Sequence, residues 1–308
     1  MNNSIFTKLS KGDKRTPEQI LEHYKIESEL ADKLRKTSRE ERKYLYTTLY
    51  DERFRRVPHH SQLTHKTDPV FQHAVVSMRM GLLRRFLCPE TIFLEVGPAD
   101  CALSLEVAQH VKKVYAIDAS AHITRDDIFP KNFEFIISVG CNIPVPANSI
   151  DIAYTDQLME HLHPDDAYDQ LQNIYKTIVP GGVYICITPN RLNGPHDISK
   201  YFDNVATGFH LKEYTFTELY GLLREVGFSS IKFYSGGRGI YMKIPLTLIR
   251  LCERVLTKVP FPLRRTIANI GILRKLLNGI IVGKKKVKGS EAKRDRTIST
   301  LHENKILW

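Results

Sequence analysis

Residues 93–101 read FLEVGPADC and decide the fold class of this 308-residue chain. The run 92–96 is a short apolar strand, and Gly97 permits a tight turn where that strand ends. A helix-like segment, 102–110, follows directly. A strand, a glycine turn and a helix in this order are typical of the first unit of a nucleotide-binding α/β sheet.

The same alternation continues on the carboxyl side of this unit. Further apolar runs of strand length occupy 114–117, 133–137, 150–154, 183–187 and 231–234. Helix-like segments separate several of them, one from about Asp166 to Ile178 and another that begins at Thr215. Strands that alternate with helices at this spacing indicate a parallel sheet that is covered on both faces.

Segments on either side of this block are mostly helical in pattern. Before residue 90, capping residues at Thr16, Ser38 and Asp68 each open a helix, and these helices are expected to help close a pocket. After residue 243, the ranges 244–259 and 263–277 are apolar at helical spacing and predict a helical hairpin. A further apolar run, Ile280-Ile281-Val282, predicts one more strand.

Charge is distributed unevenly along the chain. Residues 91–237 hold 10 Lys and Arg against 18 Asp and Glu, whereas residues 238–308 hold 17 against 4, within a net charge of +11. An acidic block with basic flanks argues against a uniformly basic nucleic-acid binder.

Five widely spaced cysteines without a CxxC pair indicate reduced thiols, and we expect a cytoplasmic protein without a signal peptide.

Two carboxylates characterise the expected ligand. Asp118 ends the second strand, 21 residues after Gly97, where an acid accepts hydrogen bonds from ribose hydroxyls. Glu95 lies beside the first turn, where it would repel a pyrophosphate but attract a cation. S-adenosylmethionine, with its ammonium and sulfonium groups and no phosphate, therefore suits the site better than a dinucleotide.

At this point the sequence resembles a class I S-adenosylmethionine-dependent methyltransferase of the type 11 kind. Five segments carry the resemblance: FLEVGPADCALSLEVA, VYAIDAS, IPVPANSIDIAYTDQLMEHLHPDD, VPGGVYICITPN and HLKEYTFTELYGLLREVGF. The stretch PNRLNGPHDISKYF is similar to bacterial methyltransferases of polysaccharide and other cell-surface biosynthesis. The resemblance implies a Rossmann-like, seven-stranded, mostly parallel sheet with an antiparallel last strand. N-terminal helices and a helical insertion before the last strand are added to it.

The resemblance also implies a set of contacts to S-adenosylmethionine. The cofactor-binding residues expected from it are Glu95, Gly97, Pro98, Ala99, Asp118, Ala119, Ser120, Gly140, Asn142, Asp156 and Gln157. Val139 stands where many relatives carry an acid for the adenine amino group, so backbone groups or Asn142 would hold the adenine. Ala99 and Cys101 stand where glycines are common.

Methyl transfer to a hydroxyl needs a group that removes the proton, and histidine is the usual candidate near neutral pH. His161 follows the fourth strand and is the first candidate base, with His196 and His210 as further candidates. The expected acceptor-binding residues lie in or beside the loop after the fifth strand: Arg191, Asp197, Tyr201 and Tyr214. The sequence spacing indicates no metal site.

The basic segment 244–277 leaves three alternatives open: a lid with a solvated basic side, a helix pair on the inner membrane surface, or a groove for an anionic substrate.

We predict a helical extension over residues 1–88, a methyltransferase domain over 89–288 with a basic insertion at 244–278, and a flexible tail at 289–308. The expected activity is O-methylation of a small molecule or glycan. An RNA methyltransferase and a non-catalytic protein that keeps the fold are the alternatives, and nucleic acid is not an expected partner.

Overall fold

The computed structural model describes residues 15–66, 68–120, 129–237 and 240–287, with side chains described throughout except at 64–66. The expected tail at 289–308 and Lys288 lie outside the described residues. An eight-stranded sheet forms the centre of the described part, with helices on both faces.

The strands of the sheet are, in chain order, β1 (Ile92–Val96), β2 (Lys113–Asp118), β3 (Phe133–Ile137), β4 (Ile150–Asp156), β5 (Ile178–Ile187), β6 (Ser230–Gly237), β7 (Ile240–Ile244) and β8 (Ile280–Lys284). They lie side by side in the order β3-β2-β1-β4-β5-β8-β6-β7. The first five are parallel, while β8 lies between β5 and β6 and is antiparallel to both. The sheet is therefore Rossmann-like and mostly parallel, as the sequence predicts.

The expected count of seven strands is wrong. β7 is an additional edge strand that pairs antiparallel with β6, with Phe233 opposite Ile244. The sequence pattern assigned Ile244 to a helix because its apolar side chain fits either period. Backbone pairing with β6 decides in favour of the strand.

The helices are α1 (Pro17–Lys36), α2 (Arg39–Arg56), α3 (Ser61–Lys66), α4 (Pro69–Leu83), α5 (Ala102–Ala108), α6 (Pro164–Thr177), α7 (Phe216–Val226), α8 (Leu246–Thr257), α9 (Phe261–Ala268) and α10 (Gly271–Leu277). Thr16 and Ser38 form capping boxes at α1 and α2, as their sequence spacing predicts. The basic insertion consists of three helices and not two, because the chain leaves the helical conformation at Asn269–Ile270, between α9 and α10. None of the described helices has both the length and the apolar composition needed to cross a bilayer.

A buried ion pair fixes α2 across the carboxyl edge of the parallel strands. Arg42 Nε and Nη2 donate to Asp166 of α6 at 2.7 and 3.1 Å, and the Tyr46 hydroxyl donates to the same carboxylate at 2.6 Å. Thr47 Oγ1 also donates to the carbonyl oxygen of Ala119, just after β2. Helices that precede the sheet in sequence are thereby fixed over the ends of its strands.

Candidate functional site

A cleft at the carboxyl ends of β1, β2 and β4 contains most of the predicted cofactor-binding residues. This main cleft has an empty volume of about 880 Å³, part of which is open to solvent. Predicted residues that line it are Gly97, Ala99, Asp118, Ala119, Ser120, Gly140, Asn142, Gln157 and His161. The strand order reverses at β1 and β4, which is where open α/β sheets bind their ligands.

The turn after β1 keeps a glycine-like backbone although it contains a single glycine. Gly97 has φ +75°, and Ala99 and Cys101 have φ +50° and +61°. Gln157, at the end of β4, also has a positive φ of +54°. Non-glycine residues adopt this region at some energetic cost, and such residues concentrate at functional sites. Ala99 and Cys101 thus adopt backbone conformations that glycine would adopt without strain.

Asp118 connects the turns after β1 and β2. Its carboxylate accepts from the backbone N–H of Ala99 at 3.3 Å and from that of Ser120 at 3.2 Å. Burial raises the pKa of Asp118 to about 6. Hydrogen-bond donors such as ribose hydroxyls would favour the ionised form, so this carboxylate suits the role predicted for it.

Glu95 lies beneath the first turn and does not line the main cleft. The side chain is 4% exposed and accepts a hydrogen bond from the Ser104 hydroxyl. Burial raises its pKa to about 8. Because a buried carboxyl of this kind is easily ionised by a nearby cation, it could interact with an ammonium group at the base of the cleft.

Aromatic side chains of α2 cover the main cleft on the side away from the sheet. Tyr46, Tyr50 and Phe54 repeat every fourth residue, so they share one face of the helix, and all three line the cleft. The sequence analysis missed them individually, although it expected the N-terminal helices to close a pocket. The four-residue spacing of these aromatic side chains is the sequence signal that could have identified them as one face of a helix.

A second cavity, the side chamber, adjoins the main cleft and has an empty volume of about 840 Å³. Both cavities share Gln62, Gln157 and His161. Its lining is polar and rich in histidine: Arg15, His23, Glu27, Arg53, His60, Ser61, Glu160, His196, Asp197, Ile198, Lys200, Phe209 and His210 also contribute. The three candidate bases of the sequence analysis therefore lie on one chamber, and His161 is the one that also reaches the main cleft.

His161 is held in a defined orientation at this junction. Its Nδ1 lies 3.0 Å from the carbonyl oxygen of Phe209, which can only accept, so Nδ1 carries the proton. Burial lowers the pKa of His161 well below its ordinary value, which leaves the ring neutral with a lone pair on Nε2. That nitrogen can accept a proton or bind a metal ion.

His210 and Glu160 complete a buried group around His161. His210 Nδ1 bonds Glu213 Oε1 at 2.8 Å; burial opposes protonation, but Glu213 and the nearby acids Glu160 and Asp197 raise the pKa of His210 to about 9. Glu160 is fully buried, and burial raises its pKa to about 7. Its Oε2 accepts from the Thr188 hydroxyl at 2.8 Å.

Within the same chamber, Arg53 neutralises a second acid, Glu27. Its Nε lies 2.9 Å from Glu27 Oε1, and its Nη2 lies 2.5 Å from His60 Nε2. Although burial alone would raise it, the pKa of Glu27 is lowered well below its ordinary value by Arg53 and by hydrogen bonds from His23 and His60. This part of the chamber is thus an ion-paired network.

Several predicted residues lie outside both cavities. Asp156 is engaged by Arg79 of α4, whose Nε lies 2.6 Å from Asp156 Oδ2, and by the Tyr154 hydroxyl at 2.9 Å. The remaining ones are Glu95, Pro98, Arg191, Tyr201 and Tyr214. Arg191 pairs with Glu218 at 2.6 Å, and Tyr201 and Tyr214 are buried in hydrophobic clusters, so packing holds them away from the chamber.

Known methyltransferases are similar in sequence to the part of the chain that forms the main cleft. Residues 94–186 match the family model described as a methyltransferase domain. A protein of Mycolicibacterium smegmatis, named as a probable S-adenosylmethionine-dependent methyltransferase, is 34% identical over 89 residues. This match covers 28% of the present chain and 31% of the relative, so the chain spans about a third of that relative's length.

Two solved structures have a similar fold. One is the complex of the Haloferax volcanii Trm112 methyltransferase activator with its candidate methyltransferase, at a TM-score of 0.50 and 13% identity, covering 73% of this chain and 98% of that one. The other is Haemonchus contortus phosphoethanolamine N-methyltransferase 1 with phosphoethanolamine and S-adenosylhomocysteine, at 0.51 and 12%, covering 88% and 54%. Identities this low show the fold alone. Together with the sequence match, they support a class I S-adenosylmethionine-dependent methyltransferase domain.

Proposed function

We propose that this chain is an S-adenosylmethionine-dependent methyltransferase that transfers the methyl group to a hydroxyl of a small molecule or glycan. The observation that carries the proposal is the junction of two cavities at His161. One cavity is built from the residues expected to bind the cofactor, and the other is a polar chamber that opens beside it.

The residues of the main cleft fit the cofactor by their chemistry. Asp118 offers acceptors to the ribose, and the aromatic face of α2 offers an apolar cover for the adenine. Asn142 and the backbone near Gly140 lie on the same wall and can meet the adenine edge. Glu95 would balance the charge of the methionine ammonium group. When bound, S-adenosylmethionine supplies a methyl group that is displaced in line from its sulfur by the acceptor.

The side chamber positions the acceptor and its proton. The hydrogen bond from Nδ1 to the Phe209 carbonyl holds the His161 ring, so its Nε2 is oriented before the acceptor arrives. Buried aromatic and ion-paired groups surround the ring and limit its movement. In the simplest mechanism His161 Nε2 accepts the hydroxyl proton as the oxygen–methyl bond forms.

Titration calorimetry with S-adenosylhomocysteine tests the cofactor, with NADH as the control ligand. Micromolar binding of the first alone, about −8 kcal/mol, is the expected result. Binding of neither ligand would refute the proposal and favour a non-catalytic protein. A screen of hydroxylated acceptors with amine-bearing analogues then tests whether oxygen is the methylated atom.

We also propose that the basic insertion contacts an anionic membrane surface. Leu248, Leu251 and Val255 follow helical spacing on α8 and are 45%, 59% and 55% exposed, whereas Ile249 and Leu256 pack inward. Eight of the fourteen exposed large apolar side chains in the described chain fall between residues 240 and 272. Exposed basic residues accompany them: Arg250, Arg254, Lys258, Arg274 and Lys275. An exposed apolar stripe with flanking cations suits the surface of anionic lipids.

Co-sedimentation with anionic liposomes at low and high salt tests this contact. The double variant L251S/V255S should lose binding, whereas Val70→Ser, at an apolar position on α4 that is even more exposed, should keep it. Equal binding by both variants would remove the insertion from membrane contact and favour a lid.

A further inference from the structure

We propose that Glu160, His161 and His210 form a binding site for one divalent transition-metal ion in the side chamber. One potential ligand atom from each residue lies within 4.8 Å of the other two, and all three residues are buried. Two imidazoles and one carboxylate are a donor set that proteins use for zinc, iron and related ions while leaving further coordination positions open. Two atoms that each bind the same ion at about 2.1 Å lie about 3–4 Å from each other. A small side-chain rotation would therefore bring these ligand atoms into binding distance of one ion.

Both histidines are already oriented as metal ligands usually are. His161 Nδ1 donates to the Phe209 carbonyl at 3.0 Å, and His210 Nδ1 bonds the Glu213 carboxylate at 2.8 Å. In metal sites the second ring nitrogen typically donates to a carbonyl or carboxylate in this way, which fixes the ring and leaves the other nitrogen for the ion. Each ring therefore has Nε2 on the side away from its anchor, and an ion that binds His210 would replace the proton on that nitrogen.

Glu160 provides an independent observation. Its side chain is 0% exposed, and its Oε1 has no hydrogen-bond partner among the described residues, while Oε2 is held by Thr188. An unpartnered buried carboxylate oxygen is costly, and a bound cation would remove that cost. The three side chains line the side chamber, and His161 also lines the main cleft, so a ligand in either cavity could reach the site.

A second group in the same chamber, His23, Glu27 and His60, has similar ligand atoms but does not qualify. The Arg53 guanidinium lies 2.9 Å from Glu27 Oε1 and 2.5 Å from His60 Nε2, so a fixed cation already occupies that group. It provides a control cluster with the same residue types.

The inference rests on the proposed function for its chemical role. An ion here would bind the acceptor hydroxyl oxygen and lower its pKa, and the proton would leave to solvent. The oxygen lone pair then forms the bond to the methyl carbon, while the carbon–sulfur bond breaks and its electrons stay on sulfur. His161 would then act as a ligand in place of accepting the proton itself.

Equilibrium dialysis of tag-free protein against Zn²⁺, Mn²⁺ and Co²⁺, read by elemental analysis and by the visible absorption of Co²⁺, tests the site. The wild-type chain should bind one equivalent, and Glu160→Gln and His210→Asn should each weaken binding at least about 100-fold. His23→Ala, in the control cluster, should retain the ion. Circular dichroism checks folding, and the two independent variants guard against one that misfolds.

Absence of stoichiometric binding by the wild type, or loss of the ion in His23→Ala but not in Glu160→Gln, would overturn the assignment. S-adenosylhomocysteine titration of the same samples separates the two proposals, because the cofactor site does not use Glu160. Metal binding without cofactor binding would refute the proposed function alone. Full activity after complete removal of metal would refute the chemical role of the ion, though not its binding, and return His161 to the role of base.

Discussion

Replacement of Glu95 by glutamine should stabilise the ligand-free protein and weaken its binding of S-adenosylhomocysteine. Burial raises the pKa of this carboxyl from about 4.5 to about 8, so the folded chain holds a proton that the unfolded chain releases above pH 5. The free energy of unfolding then falls as pH rises from about 4.5 to about 8, by up to about 1.4 kcal/mol per pH unit. Glutamine is neutral throughout and can still accept from the Ser104 hydroxyl.

Between pH 5 and pH 7 the wild type should therefore lose about 2 kcal/mol of stability relative to Glu95→Gln. Loss of a charge-assisted contact to the ammonium group should weaken cofactor binding by about 1.5–3 kcal/mol, or roughly 10- to 150-fold. Urea unfolding at several pH values and calorimetry at pH 7.5 measure the two effects. The substitution is therefore expected to raise stability and to lower affinity, as is typical of a ligand-binding residue that is costly to bury.

Glu160→Gln is the matched control, because its carboxyl is also buried with a raised pKa but belongs to the side chamber and not to the strand that leads into the first turn. It should reduce the pH dependence of stability without changing affinity for S-adenosylhomocysteine. Identical pH slopes for wild type and Glu95→Gln, together with unchanged affinity, would refute both the burial cost and the assigned contact.

Three further substitutions test other parts of the molecule. Asp118→Ala should weaken S-adenosylhomocysteine binding by about 1–3 kcal/mol in calorimetry, since ribose donors and two backbone N–H groups lose their acceptor; unchanged affinity would remove the ribose contact. His161→Ala should lower turnover by about 10²- to 10⁴-fold while cofactor binding persists, and a fully active variant would exclude it from the mechanism. Arg42→Ala should reduce the unfolding free energy by about 3–5 kcal/mol in urea titration because Asp166 is left buried and unpaired; a loss below 1 kcal/mol would show that this pair does not secure α2.

Local sequence patterns predicted the parallel part of the sheet well. Alternation of apolar runs with amphipathic segments identified β1 to β5, and capping residues such as Thr16 and Ser38 placed the starts of helices. Such elements are decided by short-range preferences. Backbone propensity and the periodic pattern of buried side chains both depend on about ten neighbouring residues. Gly97 and Asp118 followed from the same logic, since each lies at the carboxyl end of a strand.

Tertiary packing decided the rest. β7 was missed because the apolar period of Ile244 fits a helix as well as a strand, and only pairing with β6 separates the two. Leu248, Leu251 and Val255 form one apolar face of α8, but Ile249 and Leu256, on another face, are the side chains that pack inward. A local pattern shows that a helix has apolar faces, but the remaining chain decides which of them is covered.

The sequence by itself determined the fold class, the strand-end residues and the kind of ligand that they suit. Only the tertiary structure placed the aromatic face of α2 over the main cleft and brought His210 to Glu160 and His161, about fifty residues earlier in the chain. Contacts between distant segments depend on how each helix docks, and here the buried Arg42–Asp166 pair fixes that docking. The side chamber and its chemistry are therefore products of packing, whereas the cofactor cleft follows from local sequence at the ends of the strands.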